Sequence, residues 1–357
     1  MRVLIVKVSS LGDIIHTLPA VTDAHRAHKD LVFDWVVEEN FVEVPAWHPA
    51  VDQVIPVAIR RWRKNLVKTY MRKEFRSFKN ALQTEHYDLV IDAQGLIKSG
   101  VISRLSRGLT IGLSNRTIRE PLATLFYNKV YSVPWSEHAV DRVRQLFSRA
   151  LKHHYDKDEV DYGLDTSQFD NGQSDNEEPD RNEKSVVFLH GTTWVTKHWP
   201  EYYWRHLAHL AGEAGYKVYL PWGDDSEKQR AEFIARGSDN AEVLGKLSLS
   251  GMARVINQST GVVAVDTGLG HLAAALSKPT VSLYGATDPA LSGTYGNRQL
   301  HLNSNLNCAP CVKKVCTYTG PGITDEFEDQ PFAVTPPCFS SHRPESVWQQ
   351  LEQLIQN

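Results

Sequence analysis

Short apolar runs alternate with longer amphipathic stretches along most of the chain. The runs are largely apolar rather than alternating in polarity, which is typical of parallel strands buried on both faces. Strands are predicted in the N-terminal half at 3–8, 32–38, 51–57, 88–95 and 110–113, and in the C-terminal half at 185–191, 217–223, 241–245, 261–268 and 280–285. The alternation of strands and helices predicts two α/β domains, each with a doubly wound parallel sheet.

A polar, acidic stretch separates the two sets of strands. Residues 166–184, TSQFDNGQSDNEEPDRNEK, contain few large apolar side chains and predict a flexible linker. The predicted organisation is therefore an N-terminal Rossmann-like domain at 1–165, the linker, a C-terminal Rossmann-like domain at 185–340 and a final helix at 341–357. Within this segment, Val347, Leu351 and Leu354 recur at helical spacing over 344–356, and Pro344 and Glu345 suit the start of a helix. We expect this helix to pack back on the N-terminal domain.

Composition and charge narrow the class of function. The chain has 357 residues, of which 41% are apolar and 23% charged, and its net charge is −3. A protein with this charge has no general affinity for nucleic acid, because phosphate binding needs a basic surface. No apolar run is long enough to span a bilayer, and the N-terminus lacks a signal-peptide pattern. We therefore expect a cytoplasmic enzyme or binding protein with reduced thiols.

The first predicted strand ends in the sequence SSLGD. Ser10 and Asp13 have the spacing of a capping box, in which the Asp13 side chain reaches back to the helix N-terminus. The same position, just beyond the carboxyl end of a strand, also suits a catalytic carboxylate. A dinucleotide site would need a G-x-G-x-x-G turn, and this turn has only Gly12. A nicotinamide dehydrogenase is therefore disfavoured, while capping and catalysis remain alternatives for Asp13.

Two further strand ends carry residues suited to a diphosphate. In HGTTWVTKHWP (190–200), small residues leave backbone amides open and Lys197 adds a cation. In VVAVDTGLGHLAAAL (262–276), the sequence Asp266-Thr267-Gly268 leads into a predicted helix whose N-terminal amides favour anions. A polar turn with a solvated lysine and a simple aspartate cap are the structural alternatives.

A basic segment stands out in a chain that is otherwise acidic. Residues 60–79, RRWRKNLVKTYMRKEFRSFK, contain nine lysines and arginines and one acid, Glu74. Apolar residues recur in it near helical spacing, which favours a basic amphipathic element that contacts an anionic membrane or a multiply charged acceptor. An exposed helix that packs its aromatic side chains on the first domain is the alternative.

All four cysteines lie near the C-terminus, in the pattern Cys308-x2-Cys311-x4-Cys316-x21-Cys338. The first pair has the spacing of metal-binding thiolates, but the full pattern matches no common zinc motif. The surrounding TYTGPG and VTPPC sequences predict a long surface loop. A metal site and a purely structural role both remain open.

Taken together, these motifs resemble the ADP-heptose:lipopolysaccharide heptosyltransferases of glycosyltransferase family 9. The resemblance covers roughly residues 1–300 and is carried by VKVSSLGDIIHTLPA, FDWVVEE, VIPVAIRRWRK, YDLVIDAQGLIKS, REPLATLFYN, KHWP, LPWG and VDTGLGHLAAAL. It is greatest for the members that add the first heptose to Kdo of the lipid A inner core. The resemblance implies a GT-B fold, two Rossmann-like domains facing a central cleft, with the acceptor on the first and ADP-heptose on the second.

The resemblance also implies roles for individual residues. Asp13 matches the general base, and Lys197 the cation at the leaving diphosphate. The implied donor-binding residues are Thr192, Thr193, Lys197, Glu227, Asp266, Thr267, Gly268 and His271. The implied acceptor-binding residues are Ser10, Arg60, Arg61, Arg63 and Lys64. The resemblance also implies that the anomeric centre is inverted without a metal or other cofactor. This agrees with the lack of a convincing DxD metal motif; EVD at 159–161 is a near match close to the linker.

The resemblance implies a peripheral enzyme on the cytoplasmic face of the inner membrane, with Kdo-lipid A as its acceptor and a monomer as the favoured state. An enzyme that adds a later heptose and a GT-B epimerase are the enzymatic alternatives. A non-catalytic nucleotide-sugar-binding module would keep the second-domain motifs but would have no use for Asp13.

Overall fold

The computed structural model of the protein describes residues 1–64, 69–169 and 184–356. The chain divides into two compact units, one at 1–165 and one at 166–357. Most of the predicted linker, residues 170–183, lies outside the described ranges, as do residues 65–68 of the basic segment. Thr166–Phe169, which the sequence assigns to the linker, instead form a 3₁₀ turn with Phe169 buried in the second unit.

The first unit contains one six-stranded parallel sheet among its described residues, in the order β3-β2-β1-β4-β5-β6. Its strands are β1 (Arg2–Val6), β2 (Val32–Glu38), β3 (Val51–Val57), β4 (Leu89–Asp92), β5 (Leu109–Leu113) and β6 (Lys129–Tyr131). Its helices are α1 (Leu11–Ile15), α2 (Leu18–Ala27), α3 (Glu43–Ala46), α4 (Ile59–Trp62), α5 (Thr69–Leu82), α6 (Ile97–Leu105) and α7 (Ala139–Leu151).

The second unit repeats this plan, with a six-stranded parallel sheet in the order β12-β11-β10-β7-β8-β9 and a separate hairpin of β13 and β14. Its strands are β7 (Ser185–Leu189), β8 (Lys217–Leu220), β9 (Ala241–Val243), β10 (Gly261–Val265), β11 (Thr280–Tyr284), β12 (Gln299–Asn303), β13 (Thr324–Phe327) and β14 (Gln330–Ala333). Its helices are α8 (Glu201–Glu213), α9 (Asp225–Ala235), α10 (Leu249–Gln258), α11 (Gly268–Ala275), α12 (Pro289–Ser292) and α13 (Pro344–Gln356).

The central strands explain why both units adopt this layered plan. Every residue of β7, β10 and β11 is buried, as are the last four of β1. Strands that are apolar on both faces need helices on both sides, and parallel neighbours need crossovers that supply them. All ten predicted strands are present, and the structure adds β6, β12 and the β13–β14 hairpin, whose sequences are short or polar.

The C-terminal helix α13 begins and ends where its helical spacing predicts, but it packs elsewhere than expected. Val347, Trp348 and Leu351 are buried in the core of the second unit, next to Val263 and Leu283 of the central strands. The expectation that this helix packs on the N-terminal domain is corrected accordingly, because its apolar face completes the layer beside β10 and β11.

Within the described ranges, none of the helices combines the length and the apolar character that crossing a membrane requires.

Candidate active site

Each sheet has a topological switch point next to its first strand. In the first unit β1 lies between β2 and β4, and in the second unit β7 lies between β8 and β10. Chain connections leave β1 and β4, or β7 and β10, in opposite directions, which opens a crevice beyond the carboxyl ends of these strands. Most of the predicted site residues follow one of these four strands.

Asp13 lies in the first turn of α1, just beyond β1. Its Oδ2 accepts hydrogen bonds from the backbone amide of Ser10 at 2.7 Å and from the Ser10 hydroxyl at 3.0 Å. Its Oδ1 lies 3.7 Å from Nζ of Lys7, and the Asp13 side chain is 37% exposed while that of Lys7 is 7% exposed. The capping interaction is therefore present, and it leaves the second oxygen next to a buried ammonium group.

The charge state of this pair follows from its surroundings. Burial by itself raises the pKa of Asp13, but the Lys7 ammonium and the hydrogen bonds from Ser10 outweigh it, so the pKa lies below its ordinary value. Burial lowers the pKa of Lys7, against the opposing influence of Asp13 and Asp92. Asp13 is consequently a carboxylate at neutral pH, as a group that accepts a proton must be.

The neighbouring strand β4 supplies a second buried carboxylate. Asp92 accepts hydrogen bonds from the amides of Gln94 and Gly95 at 2.9 and 3.0 Å and from the Tyr127 hydroxyl at 2.7 Å. The Lys7 ammonium donates to the Ala93 carbonyl at 2.9 Å. These contacts fix the loop that faces SSLGD across the crevice. Sequence reasoning missed Lys7, although a lysine inside the apolar run VLIVKV is a recognisable signal.

A group of cations adjoins this crevice within the first unit. Lys98, at the start of α6, lies 3.5 Å from the Ser9 hydroxyl. Burial lowers its pKa, and Glu38, Arg60 and Arg63 are close enough to influence it. Glu38 is buried at the end of β2, and its Oε1 accepts the Arg60 amide at 2.9 Å. Arg60 and Arg63 are thus placed beside the crevice, together with Lys98, which the sequence analysis did not select.

The remaining predicted acceptor residues differ in their freedom to bind a ligand. Arg61 is paired with Glu39 and with Glu74, with its guanidinium nitrogens 2.9 Å from a carboxylate oxygen of each. It braces α4 against α5. Lys64 is exposed one turn further along the chain. Of the predicted basic group, Arg61 is therefore the member whose charge is already matched inside the unit.

In the second unit, an ion pair joins the two predicted diphosphate motifs. Nζ of Lys197 lies 2.7 Å from Oδ2 of Asp266, and the side chains are 16% and 11% exposed. The Thr287 hydroxyl donates to the same oxygen at 2.5 Å. The Lys197 ammonium also lies 4.6 Å from the centre of the Trp194 ring. Asp266 holds Lys197 at the carboxyl ends of β7 and β10; Thr287, which follows β11, was missed because an isolated threonine in a loop carries no pattern.

The other donor residues lie around this pair. Thr192 donates from its hydroxyl to the Asp266 carbonyl at 3.1 Å, and Thr193 next to it is exposed. Thr267 is the N-cap of α11, Gly268 is its first residue, and His271 is buried one turn later. The backbone amides of the first turn of α11 therefore lie close to Lys197, and an anion needs both hydrogen-bond donors and a positive charge.

Glu227, the predicted ribose-binding acid, lies beside Gly191. It is in the first turn of α9, and its Oε2 accepts the amide of Gly223 at 2.8 Å. A Cβ atom on Gly191 would lie 2.4 Å from Oε1 of Glu227. Glycine at position 191 therefore permits the close approach of this carboxylate to the end of β7.

No ready-made metal centre accompanies these crevices. Among residues 1–64, 69–169 and 184–356, no three histidine, cysteine or acidic side chains are gathered in a group that would hold a metal ion.

Comparison with known proteins identifies the class to which this architecture belongs. The family described as "Glycosyltransferase family 9 (heptosyltransferase)" matches residues 75–320. "Lipopolysaccharide heptosyltransferase 1" of Pseudomonas aeruginosa is 53% identical over 99% of this chain and 98% of its own. The structure titled "E. coli heptosyltransferase WaaC with ADP" has a TM-score of 0.80 and 48% identity, covering 84% of this chain and 92% of that one. A second, "E. coli heptosyltransferase WaaC with ADP-2-deoxy-2-fluoro heptose", has a TM-score of 0.78 and 46% identity, covering 85% and 93%.

The two Rossmann-like units, together with the similarity to a solved heptosyltransferase, confirm the predicted GT-B fold class. The chain belongs to glycosyltransferase family 9, the heptosyltransferases. Its similarity to enzymes named heptosyltransferase 1 extends over nearly the whole chain, which confirms the predicted transferase activity and the predicted type within the family.

The Lys197–Asp266 pair leads to a prediction about stability. Replacing Lys197 with methionine leaves the largely buried Asp266 carboxylate without its positive partner. We therefore expect the free energy of unfolding to fall by about 3 kcal/mol. The double variant Lys197→Met/Asp266→Asn should recover most of that loss, because no charge is then left without a partner. Denaturant unfolding of the wild type and these variants, with Asp266→Asn completing the cycle, measures the coupling. Equal losses in Lys197→Met and the double variant would contradict the pairing.

Proposed function

We propose that this chain transfers L-glycero-D-manno-heptose from ADP-heptose to a Kdo sugar of the lipid A inner core, with inversion at the anomeric carbon. The observation that carries the proposal is Asp13, an ionised and partly exposed carboxylate at the first-unit crevice. The relatives' names agree with it, since they are lipopolysaccharide heptosyltransferases and one structure holds an ADP-heptose analogue. A nucleotide-binding module without catalysis would give such a carboxylate no role.

In the proposed reaction, a Kdo hydroxyl attacks the anomeric carbon of the heptose from the face opposite ADP. The new bond joins the Kdo oxygen to that carbon, while the bond from the carbon to the β-phosphate oxygen breaks and its electron pair leaves with ADP. Asp13 takes the proton of the attacking hydroxyl. Its lowered pKa makes it a weak base at rest, but the hydroxyl becomes strongly acidic as the new bond forms, so proton transfer is favourable late in the step.

The second unit supplies the charges that stabilise the leaving diphosphate in this proposal. Lys197 is held in place by Asp266 before the donor arrives, so little reorganisation is needed during the reaction. The amides at the start of α11 and at 192–193 provide further donors, and Glu227 is placed to accept hydrogen bonds from the ribose. The ammonium group and the helix terminus together take the part that a divalent cation plays in other transferases.

The acceptor side of the proposal uses the cations of the first unit. The Kdo carboxylate, and any phosphate on the inner core, is bound by Arg60, Arg63 and Lys64, with Ser10 orienting the reactive hydroxyl beside Asp13. We further propose that the basic segment holds the enzyme to the anionic cytoplasmic face of the inner membrane, where its lipid acceptor resides. A monomer suffices for this arrangement, because one chain contains both crevices.

Replacing Asp13 with asparagine tests the proposed base. Asparagine keeps an oxygen for the Ser10 amide, so the helix cap and the fold should survive, while turnover should fall about 1,000-fold because no base remains. ADP release from ADP-heptose in the presence of Kdo-lipid A measures turnover, and calorimetric titration with ADP checks the donor site. Asp30→Asn, an exposed position in the same unit, is the matched control. A folded Asp13→Asn enzyme with nearly normal turnover would leave Asp13 a purely capping residue.

The Lys7 ammonium leads to a prediction about pH dependence. In Lys7→Met, burial raises the pKa of Asp13 without the opposing cation, so a larger fraction of Asp13 is protonated at mildly acidic pH. The acid-side decline of kcat/KM should therefore move to higher pH than in the wild type, in which it reflects a lowered pKa. The exposed Lys29→Met serves as a control for loss of a positive charge. An unchanged acid-side decline would mean that Lys7 does not tune the base.

The basic group can be tested separately from the donor site. Reversing the charge of Arg60 and Arg63 should raise the KM for Kdo-lipid A at least about tenfold, since each change replaces attraction by repulsion. The affinity for ADP, measured by titration, should remain within about twofold of the wild type. Lys29→Glu tests the effect of net charge alone. An equal loss of ADP affinity would indicate that the segment acts on the fold rather than on the acceptor.

A further inference from the structure

The connection between β5 and β6 presents two leucines to solvent. It forms a 3₁₀ segment at Pro121–Phe126. Leu122 and Leu125 are 62% and 79% exposed, and no large apolar side chain of the described residues is more exposed than Leu125. Side chains three positions apart in a 3₁₀ turn lie on the same side of it, so the two leucines form a pair. Such a pair is more than the single apolar residues scattered over any protein surface.

Helix α6 extends this apolar surface. Ile97 and Val101, one turn apart on the same face of the helix, are 40% and 39% exposed. The 3₁₀ segment packs on α6 at Gly100, where a Cβ atom would lie 2.8 Å from the Phe126 ring and 3.2 Å from the Ala123 carbonyl oxygen. Gly100 shares a face of α6 with Ile97 and directly precedes Val101, so these exposed side chains adjoin the 3₁₀ segment. The apolar patch defined in this way consists of Ile97, Val101, Leu122 and Leu125.

Hydrogen bonds hold the patch in its exposed position. Oε2 of Glu120, just before the 3₁₀ segment, accepts the Ile97 amide at 2.7 Å. The Glu120 amide donates to the Gly95 carbonyl at 3.2 Å. Ala123 fills the inner side of the turn and is fully buried. The leucines are therefore kept outward by a turn that is fixed to the start of α6, and their exposure is a property of the fold.

The chain around the patch is strongly basic. Residues 96–131 contain six lysines and arginines but a single acid, Glu120, in a chain whose net charge is −3. The six cations are Lys98, Arg104, Arg107, Arg116, Arg119 and Lys129. Within the described residues none of them makes an ion pair with a carboxylate. Arg104, one turn after Val101 on α6, is exposed, as is Arg119 before the 3₁₀ segment. Exposed leucines combined with unmatched positive charge are complementary to an anionic lipid interface.

We propose that the apolar patch docks on the surface of an anionic phospholipid bilayer. Leu122 and Leu125 enter the boundary between headgroups and acyl chains, and the neighbouring lysines and arginines bind lipid phosphates. This docking rests on the proposed function in one respect, since a lipid-borne acceptor is what brings the enzyme to a bilayer. A second copy of this chain fits the patch less well, because a symmetric contact would bring two sets of like charges together.

The patch adjoins the crevice in which the acceptor is proposed to react. Ile97 is exposed at the start of α6, while the next residue, Lys98, lies 3.5 Å from the Ser9 hydroxyl. Arg119, just before the 3₁₀ segment, is close enough to help lower the pKa of Asp13. A bilayer on the patch therefore lies beside the mouth of this crevice, where a lipid-linked sugar would enter. The basic segment supplies charge alone, whereas the leucines add an apolar contact that salt does not screen.

Vesicle binding by the intact chain tests this docking. Sedimentation with vesicles of phosphatidylcholine and phosphatidylglycerol should show the wild type bound in about 0.3 M salt, which screens the cations but leaves the apolar contact. Leu122→Ser/Leu125→Ser should lower the partition coefficient at least about tenfold. Val312→Ser/Val315→Ser, which removes exposed apolar side chains in the second unit, should bind as the wild type does. Vesicles of phosphatidylcholine alone should bind the wild type at least about tenfold less.

Two further measurements separate the docking from the transfer reaction. The leucine double variant should have the wild-type affinity for ADP, which establishes that it folds. Its turnover of ADP-heptose should be normal on a deacylated, water-soluble acceptor and at least about fivefold lower on acceptor embedded in anionic vesicles, where docking raises the local enzyme concentration. If the wild type transferred heptose to neither acceptor, the proposed function would fail while the vesicle result still stood.

Three results would overturn the proposal. The first is vesicle binding by the leucine double variant equal to that of the wild type. The second is equal binding of the wild type to neutral and anionic vesicles, since the cations would then have no role. The third is self-association of the wild type in analytical ultracentrifugation that the leucine double variant loses, because the patch would then contact a second copy.

Discussion

The parallel arrangement of the strands is the constraint on which the rest of the structure depends. Every strand of a parallel sheet ends at the same edge, and both faces are covered by helices, so ligand-binding side chains collect beyond the carboxyl ends at the switch point. In each unit the first strand lies in the middle of the sheet, and the chain departs to both sides of it. The crevice formed there gathers side chains from distant parts of the sequence, such as Ser9 with Lys98, or Lys197 with Asp266 and Thr287.

Each unit places a lysine–aspartate pair in its crevice, and the two pairs are built for opposite purposes. In the first unit the ammonium is 7% exposed and the carboxylate 37% exposed, so in the proposed reaction the carboxylate is the reactive member. In the second unit both groups are mostly covered and 2.7 Å apart, with a threonine hydroxyl on the carboxylate. There the aspartate positions the cation. In the proposed reaction the same chemical pair thus supplies a base in one unit and a positioned cation in the other, because burial differs.

Much of this could be predicted from the sequence, for physical reasons that differ between elements. The central strands were evident because burial on both faces demands uninterrupted apolar runs, and α13 was evident from its helical spacing. Edge strands such as β6 and β12 were not predicted, because edge positions tolerate polar residues and so lack a continuous apolar run. Four further residues of the crevices were not predicted, because their roles depend on contacts across the sheet that no local pattern records. These are Lys7, Glu38, Lys98 and Thr287. The predicted packing partner of α13 was wrong for the same reason, because helical spacing defines an apolar face but not the element that covers it.

Capping leaves room for the proposed catalytic role of Asp13, because the cap uses only one of its two carboxylate oxygens. Oδ2 accepts both hydrogen bonds from Ser10, which fixes the orientation of the carboxylate, while Oδ1 is the oxygen next to Lys7. A base held in this way loses little conformational entropy when the acceptor binds, since folding has already ordered it. The cap also keeps the carboxylate ionised, because its hydrogen bonds favour the charged form. The capping box therefore keeps the proposed base ionised and oriented, and the short helix α1 places it just beyond the end of β1.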